Sequence, residues 1–142
     1  MSFLSESPLD PASLEQSVAA PDRGAVVSFI GTVRDHHQGR GVASLEYHCY
    51  QAMAEAESAR IVGEAERRFG VTVALRHRIG HLMVGDMAVV VACAAAHRDA
   101  AFEATRWVID EVKRRVPIWK HEHLTDGSSM WVDPTASMAE HG

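Results

Sequence analysis

Asp110-Glu-Val-Lys113-Arg-Arg-Val-Pro117-Ile-Trp-Lys120-His-Glu122 is the stretch in which the chain turns from helix to strand. Proline has no N–H and disfavours the α region at the residue before it, so a helix entering this stretch stops ahead of Pro117. Ile118-Trp119 then starts an extended segment. Lys113 therefore belongs to the last turn of a helix, and Lys120 to the strand that leaves it. Two ammonium groups on different elements, joined by a tight corner, can converge on one point. The plain alternative is a solvated basic helix end, which the helix dipole favours.

Upstream of the corner, Ala101, Ala104, Thr105, Val108, Ile109, Val112 and Val116 share one face at helical spacing, with Phe102 beside them. A long helix is thus expected to open at His97-Arg98-Asp99, with Lys113 at the edge of its apolar stripe. Downstream, the strand runs to about Leu124, Asp126-Gly127-Ser128 turns, and residues 129–132 return as a short strand. A second long helix is expected over 52–69, where Ala54, Ser58, Ile61, Val62, Ala65 and Phe69 form the stripe and Gly70 closes the end. Residues 87–96 are the most apolar run and read as a central strand. Residues 25–30 read as a mostly buried strand, and 44–50 and 71–79 as further strands. Asp10-Pro11 starts a short helix reaching about Val18. Residues 35–41, polar and glycine-rich, read as a mobile loop. This mixture of strands and helices predicts an α+β fold, a mixed or antiparallel sheet with two long helices. It forms one domain over 1–142, in which 1–23 is a lead-in and 133–142 a loose tail.

The composition narrows the function classes. At 142 residues, 46% hydrophobic and 23% charged, the chain has the make-up of a soluble globular domain. No apolar run reaches membrane-spanning length, and the first eight residues lack a basic segment followed by an apolar block. Cys49 and Cys93 lie in apolar, strand-like runs without a CxxC, so no disulfide framework is implied, and the expected compartment is the cytoplasm. A formal net charge of -5 argues against general nucleic-acid binding. A basic cluster inside an acidic chain points instead to one focused anionic ligand or an acidic partner tail.

Three places could carry chemistry. His97-Arg98 stands at a helix start, where unpaired N–H groups and the dipole attract phosphate and an arginine can grip it with two hydrogen bonds. Arg34 stands where a strand gives way to the glycine-rich loop. The lysine pair is the third. A lysine at a half-apolar rim has its pKa lowered by desolvation and neighbouring cations, which frees the amine to attack a carbonyl carbon; if protonated, it stabilises a carboxylate, a thiocarboxylate or a developing oxyanion. Among nine histidines, His121 and His123 share one strand face and His36-His37 lie in the loop, but no HExxH or CxxC spacing is present, so no functional metal is expected. No GxSxG motif marks a serine nucleophile.

With these residues in view, the chain resembles the large, catalytic subunit of molybdopterin synthase, the MoaE family. The matching pieces are Gly24-Ala-Val-Val-Ser-Phe-Ile-Gly-Thr-Val-Arg34, Leu45-Glu-Tyr47, His77-Arg-Ile-Gly80, Gly85-Asp86, Ala96-His-Arg98, Ala101-Phe-Glu103, and Asp110-Glu-Val-Lys113 through Pro117-Ile-Trp-Lys120. The resemblance implies a fold of the α/β-hammerhead type and a homodimer. It implies that each copy binds a small, ubiquitin-like sulfur-carrier subunit of the MoaD type, giving a heterotetramer. The carrier's C-terminal glycine thiocarboxylate would be the sulfur donor and cyclic pyranopterin monophosphate the substrate, converted to the dithiolene of molybdopterin with no permanently bound cofactor. It implies no nucleic acid and no membrane. Lys113 and Lys120 match the family's catalytic lysines. Thr32, Val33, Arg34, His97 and Arg98 match its substrate-binding positions, to which both lysines and the following His121 and Glu122 are added. His121 stands where the family usually has a second basic residue, and the tail ends short and acidic at Glu140. Two other classes fit the same cations and histidines: a non-catalytic module that captures an acidic peptide terminus, and a small metal-dependent enzyme.

Overall fold

The computed structural model describes residues 2–133, so the tail, Glu140 included, lies outside the described residues apart from Asp133. In chain order the elements are β1 (Leu4–Ser5), α1 (Pro11–Val18), β2 (Ala25–Thr32), β3 (His36–His37), β4 (Arg40–Cys49), α2 (Gln51–Phe69), β5 (Thr72–Arg78), β6 (Gly80–Met83), β7 (Met87–Ala95), α3 (Arg98–Arg115), β8 (Ile118–Leu124) and β9 (Ser129–Val132). One sheet has the order β1-β5-β7-β2, antiparallel except for the parallel pair β1/β5. The other runs β3-β4-β8-β9, with β6 also on β4, and is antiparallel throughout. The fold is α+β, as expected.

The most apolar run is indeed a central strand. β7 is covered on both faces, because successive side chains on a strand point to opposite sides. Val89, Val91, Cys93 and Ala95 join the main core under α2 and α3. Val90, Ala92 and Ala94 meet Leu9, Leu14 and Val18 at and before α1. Residues 1–23 are thus more than a lead-in: Leu4 enters the main core, and β1 pairs with β5. A two-residue strand gives no periodicity to read, which is why the sequence does not announce it.

α3 buries Ala101, Ala104, Thr105, Val108, Ile109 and Val112, while Phe102 is exposed. α2 ends at Gly70, whose φ of 67° is left-handed and whose N–H donates to the Glu66 carbonyl.

Three expectations are corrected. β2 is an edge strand rather than a mostly buried one, with Val26 and Ile30 exposed at 41% and 43%. Apolar content alone does not distinguish a strand covered on one face from one covered on two. Residues 35–41 are a hairpin rather than a mobile loop: Gln38 and Gly39 take φ of 52° and 77°, and His37 pairs with Arg40 across the turn. Two positive φ values in succession match the twist of the flanking strands. Residues 80–83 form β6, which the sequence reading leaves unassigned. Gly80, at φ 90°, lets the chain leave β5 in the first sheet and enter β6 in the second.

Candidate active site

The helix-to-strand corner forms as its sequence requires. The Val116 N–H donates to the Val112 carbonyl at 3.0 Å, Pro117 ends the helix, and the Ile118 N–H turns back to the Val116 carbonyl at 2.8 Å. Val116 and Ile118 are buried on either side of the proline, anchoring the corner. Lys113 and Lys120 flank it, and they are the only lysines in the 142-residue sequence.

Lys113 is exposed as a residue, yet its surroundings disfavour the charged form. Burial is the largest influence lowering its pKa. The charges of Lys120 and Arg34 lower it further, and Asp110 opposes them. The three cations expected from sequence to bind or react therefore sense one another.

Lys120 is steered from below. Its Nζ lies 3.2 Å from Oε2 of Glu122, whose side chain is only 3% exposed. Glu122 also accepts a hydrogen bond from His37 Nδ1 at 2.6 Å, so the hairpin expected to be a loose loop instead fixes the carboxylate that holds Lys120. A buried carboxylate needs such partners. Glu122 therefore reaches the site as a support for Lys120.

Two neutral groups stand near the lysines. Tyr47 stands opposite Lys120 in the β4/β8 register, and burial followed by the Glu122 charge pushes its hydroxyl up to about 12. His77 meets Tyr47 edge-on, with ring centroids 4.9 Å apart at 84°. Burial pushes the His77 pKa down to about 4; a hydrogen bond to the Arg78 carbonyl opposes this, and the Lys113 charge adds to it. His77 Nδ1 donates that bond at 2.7 Å, leaving Nε2 as an acceptor. Tyr47, His77 and His37 were missed as site residues. The alternation in Leu45-Glu-Tyr47 was visible, but only the register places Tyr47 beside Lys120.

Arg34 projects from a fixed backbone. Val33 is buried; its N–H donates to Asp86 and its carbonyl accepts from Gly85, at 3.0 and 2.8 Å. Val33 thus fixes the backbone from which Arg34 projects. Thr32 is exposed at the end of β2.

The remaining expected residues lie elsewhere. His97 and Arg98 are exposed at the start of α3, and Lys113 is fifteen residues along the same helix. At ~1.5 Å rise per residue that is about 22 Å, too far for one small ligand to touch both within a single chain. His121 faces away from Lys120, since alternate strand residues point to opposite sides. No thiolate is available at the corner: burial pushes both the Cys49 and Cys93 thiols up.

The chain has relatives among known proteins. Residues 4–115 match the family model described as MoaE protein. The molybdopterin synthase catalytic subunit of Thermoplasma volcanium is 40% identical over 129 residues, covering 90% of this chain and 94% of that one. A crystal structure of molybdopterin synthase from Staphylococcus aureus superposes with a TM-score of 0.87 at 34% identity, covering 92% of this chain and 95% of the other. A complex of subunits 1 and 2 of the molybdopterin-converting factor from Helicobacter pylori shares the fold, with a TM-score of 0.75 at 21% identity over 90% of this chain and 87% of that one.

Proposed function

The chain belongs to the MoaE protein family, and from that premise we propose how its cationic corner works. The protein is the catalytic subunit of molybdopterin synthase and acts in the sulfur-transfer step of molybdenum cofactor biosynthesis. Its substrate is cyclic pyranopterin monophosphate. Its sulfur donor is the C-terminal thiocarboxylate of a small, ubiquitin-like carrier subunit, and no cofactor is permanently bound. Among the described residues no helix is long and apolar enough to cross a membrane.

The observation that carries this reading is the lowered pKa of Lys113 between Lys120 and Arg34, in a chain with no accessible thiolate of its own. A sulfur delivered on a partner's acyl group needs cations and an amine, not a cysteine. Lys120, held by Glu122, neutralises the thiocarboxylate and the charge that develops as sulfur leaves. Lys113, which gives up its proton more easily than an ordinary lysine, meets the acyl carbon as nucleophile or proton-transfer group. Arg34 binds the substrate phosphate.

His97 and Arg98 take part through a second copy. The helix length keeps them from their own chain's lysines, whereas a homodimer can set the start of one α3 beside the corner of the other. Two small subunits then complete a heterotetramer.

Reconstitution tests the reading. Wild-type protein, thiocarboxylated carrier and pterin substrate should yield dithiolene product, and a carrier lacking its last two glycines should yield none. If the intact carrier binds tightly but no dithiolene forms, the corner is a module that captures an acidic terminus.

A further inference from the structure

We propose that the outer face of the second sheet is a binding site for a divalent zinc-class cation, held by Glu46, His121 and His123 with His81 as a fourth donor. This face is separate from the lysine corner: Lys120 and Glu122 point to one side of β8, and His121 and His123 to the other.

The strand register builds the site. Glu46 on β4 stands directly opposite His121 on β8 and, on its other flank, opposite His81 on β6. His123 follows two residues after His121 on the same face. One donor atom each from Glu46, His121 and His123 lie within 4.8 Å of one another. Zinc holds nitrogen and oxygen donors at ~2.0–2.2 Å, which sets tetrahedral donors about 3.4 Å apart. Closing that difference needs side-chain rotation only, because the paired strands already fix the backbone.

Both imidazoles already direct a nitrogen at the same carboxylate. His123 Nε2 donates to Glu46 Oε2 at 2.5 Å, and His121 Nδ1 lies 3.7 Å from Oε1. A cation takes the place of the proton that His123 donates to Glu46. The His121 ring is oriented by Trp131, stacked on it at 4.2 Å with only 4° between the planes. The three donors are partly exposed, which leaves a route for the ion and room for a water ligand. Two imidazoles and a carboxylate suit zinc and its late first-row neighbours, whereas magnesium and calcium favour oxygen donors. A bound ion would clamp β4 to β8, the strand that carries Lys120.

Zinc titration of the tag-free, chelator-stripped chain, followed by calorimetry and thermal unfolding, tests the site. The account expects about one zinc per chain, a rise in melting temperature that magnesium does not reproduce, and loss of both in the His121→Ala/His123→Ala double variant. Glu46→Gln should weaken binding without abolishing the fold. Cobalt(II) titration of the wild-type chain gives a reading independent of any variant: visible absorption of tetrahedral intensity is expected. No saturable zinc binding, no such absorption, or undiminished zinc in a folded double variant would overturn the proposal and leave the cluster as a His123–Glu46 hydrogen bond with His121 beside it.

Discussion

Lys113 and Arg115 sit two residues apart on the last turn of α3, yet their surroundings act on them in opposite directions. Around Lys113, burial and the cations Lys120 and Arg34 lower the pKa. Around Arg115, burial also works against the charge, but hydrogen bonds to Glu64, Glu57 and Glu111 outweigh it and push the pKa up. Arg115 donates from Nε to Glu57 at 2.7 Å and from Nη1 to Glu111 at 3.2 Å, and its Nη1 lies 2.7 Å from Glu64. Arg114 is likewise paired with Glu111. Four basic residues close in sequence are thus two systems. The arginines tie α3 to α2 and to itself through carboxylates on those helices; at the corner Lys120 has Glu122 as partner, and Lys113 meets the charges of Lys120 and Arg34.

The largest expected break in this comparison is at Lys113. Lys113→Ala should slow single-turnover sulfur transfer by ~10²–10⁴-fold, the usual worth of a positioned proton-transfer group, while circular dichroism stays native and the carrier still binds. Lys113→Arg should not restore the rate, because a guanidinium remains charged. Near-normal rates in Lys113→Arg would show that only a positive charge is needed.

A smaller effect, of another kind, is expected across the helix. Arg115→Ala removes charge-assisted hydrogen bonds and leaves three carboxylates facing one another. Urea unfolding should show a loss of about 1.5–3 kcal/mol, with the transfer rate per folded molecule unchanged. A fall in rate as large as that of Lys113→Ala would mean that the two sides of the helix are not separate.

The sequence revealed most of what depends on local pattern. The proline corner, the α3 stripe with Lys113 at its edge, the α2 stripe closed by Gly70 and the central strand at 87–95 follow from periodicity and from proline and glycine stereochemistry. It did not reveal what depends on register. Nothing near Glu122 in sequence signals that His37 holds it, or that Tyr47 and His77 stand near the lysines, because those contacts join strands 30 residues or more apart in the chain. The same limit explains Glu46: two histidines on one strand face were legible, but their carboxylate comes from a neighbouring strand. Family likeness pointed to His97 and Arg98 as substrate-binding candidates. Only the length of α3 shows that they lie far from the lysines of their own chain. Two lysines in the whole chain, both at the corner, are a signal that simple counting supplies.

That scarcity also makes the central claim directly measurable. Side-chain carbon NMR of lysine-labelled protein should give two ε-carbon signals, assigned with Lys113→Arg, and each can be followed against pH. The account predicts that Lys113 titrates below the ordinary lysine value of about 10.4, and that its midpoint moves up in Arg34→Ala, where one of the opposing charges is gone. A Lys113 midpoint at or above the ordinary value, unmoved by Arg34→Ala, would contradict it.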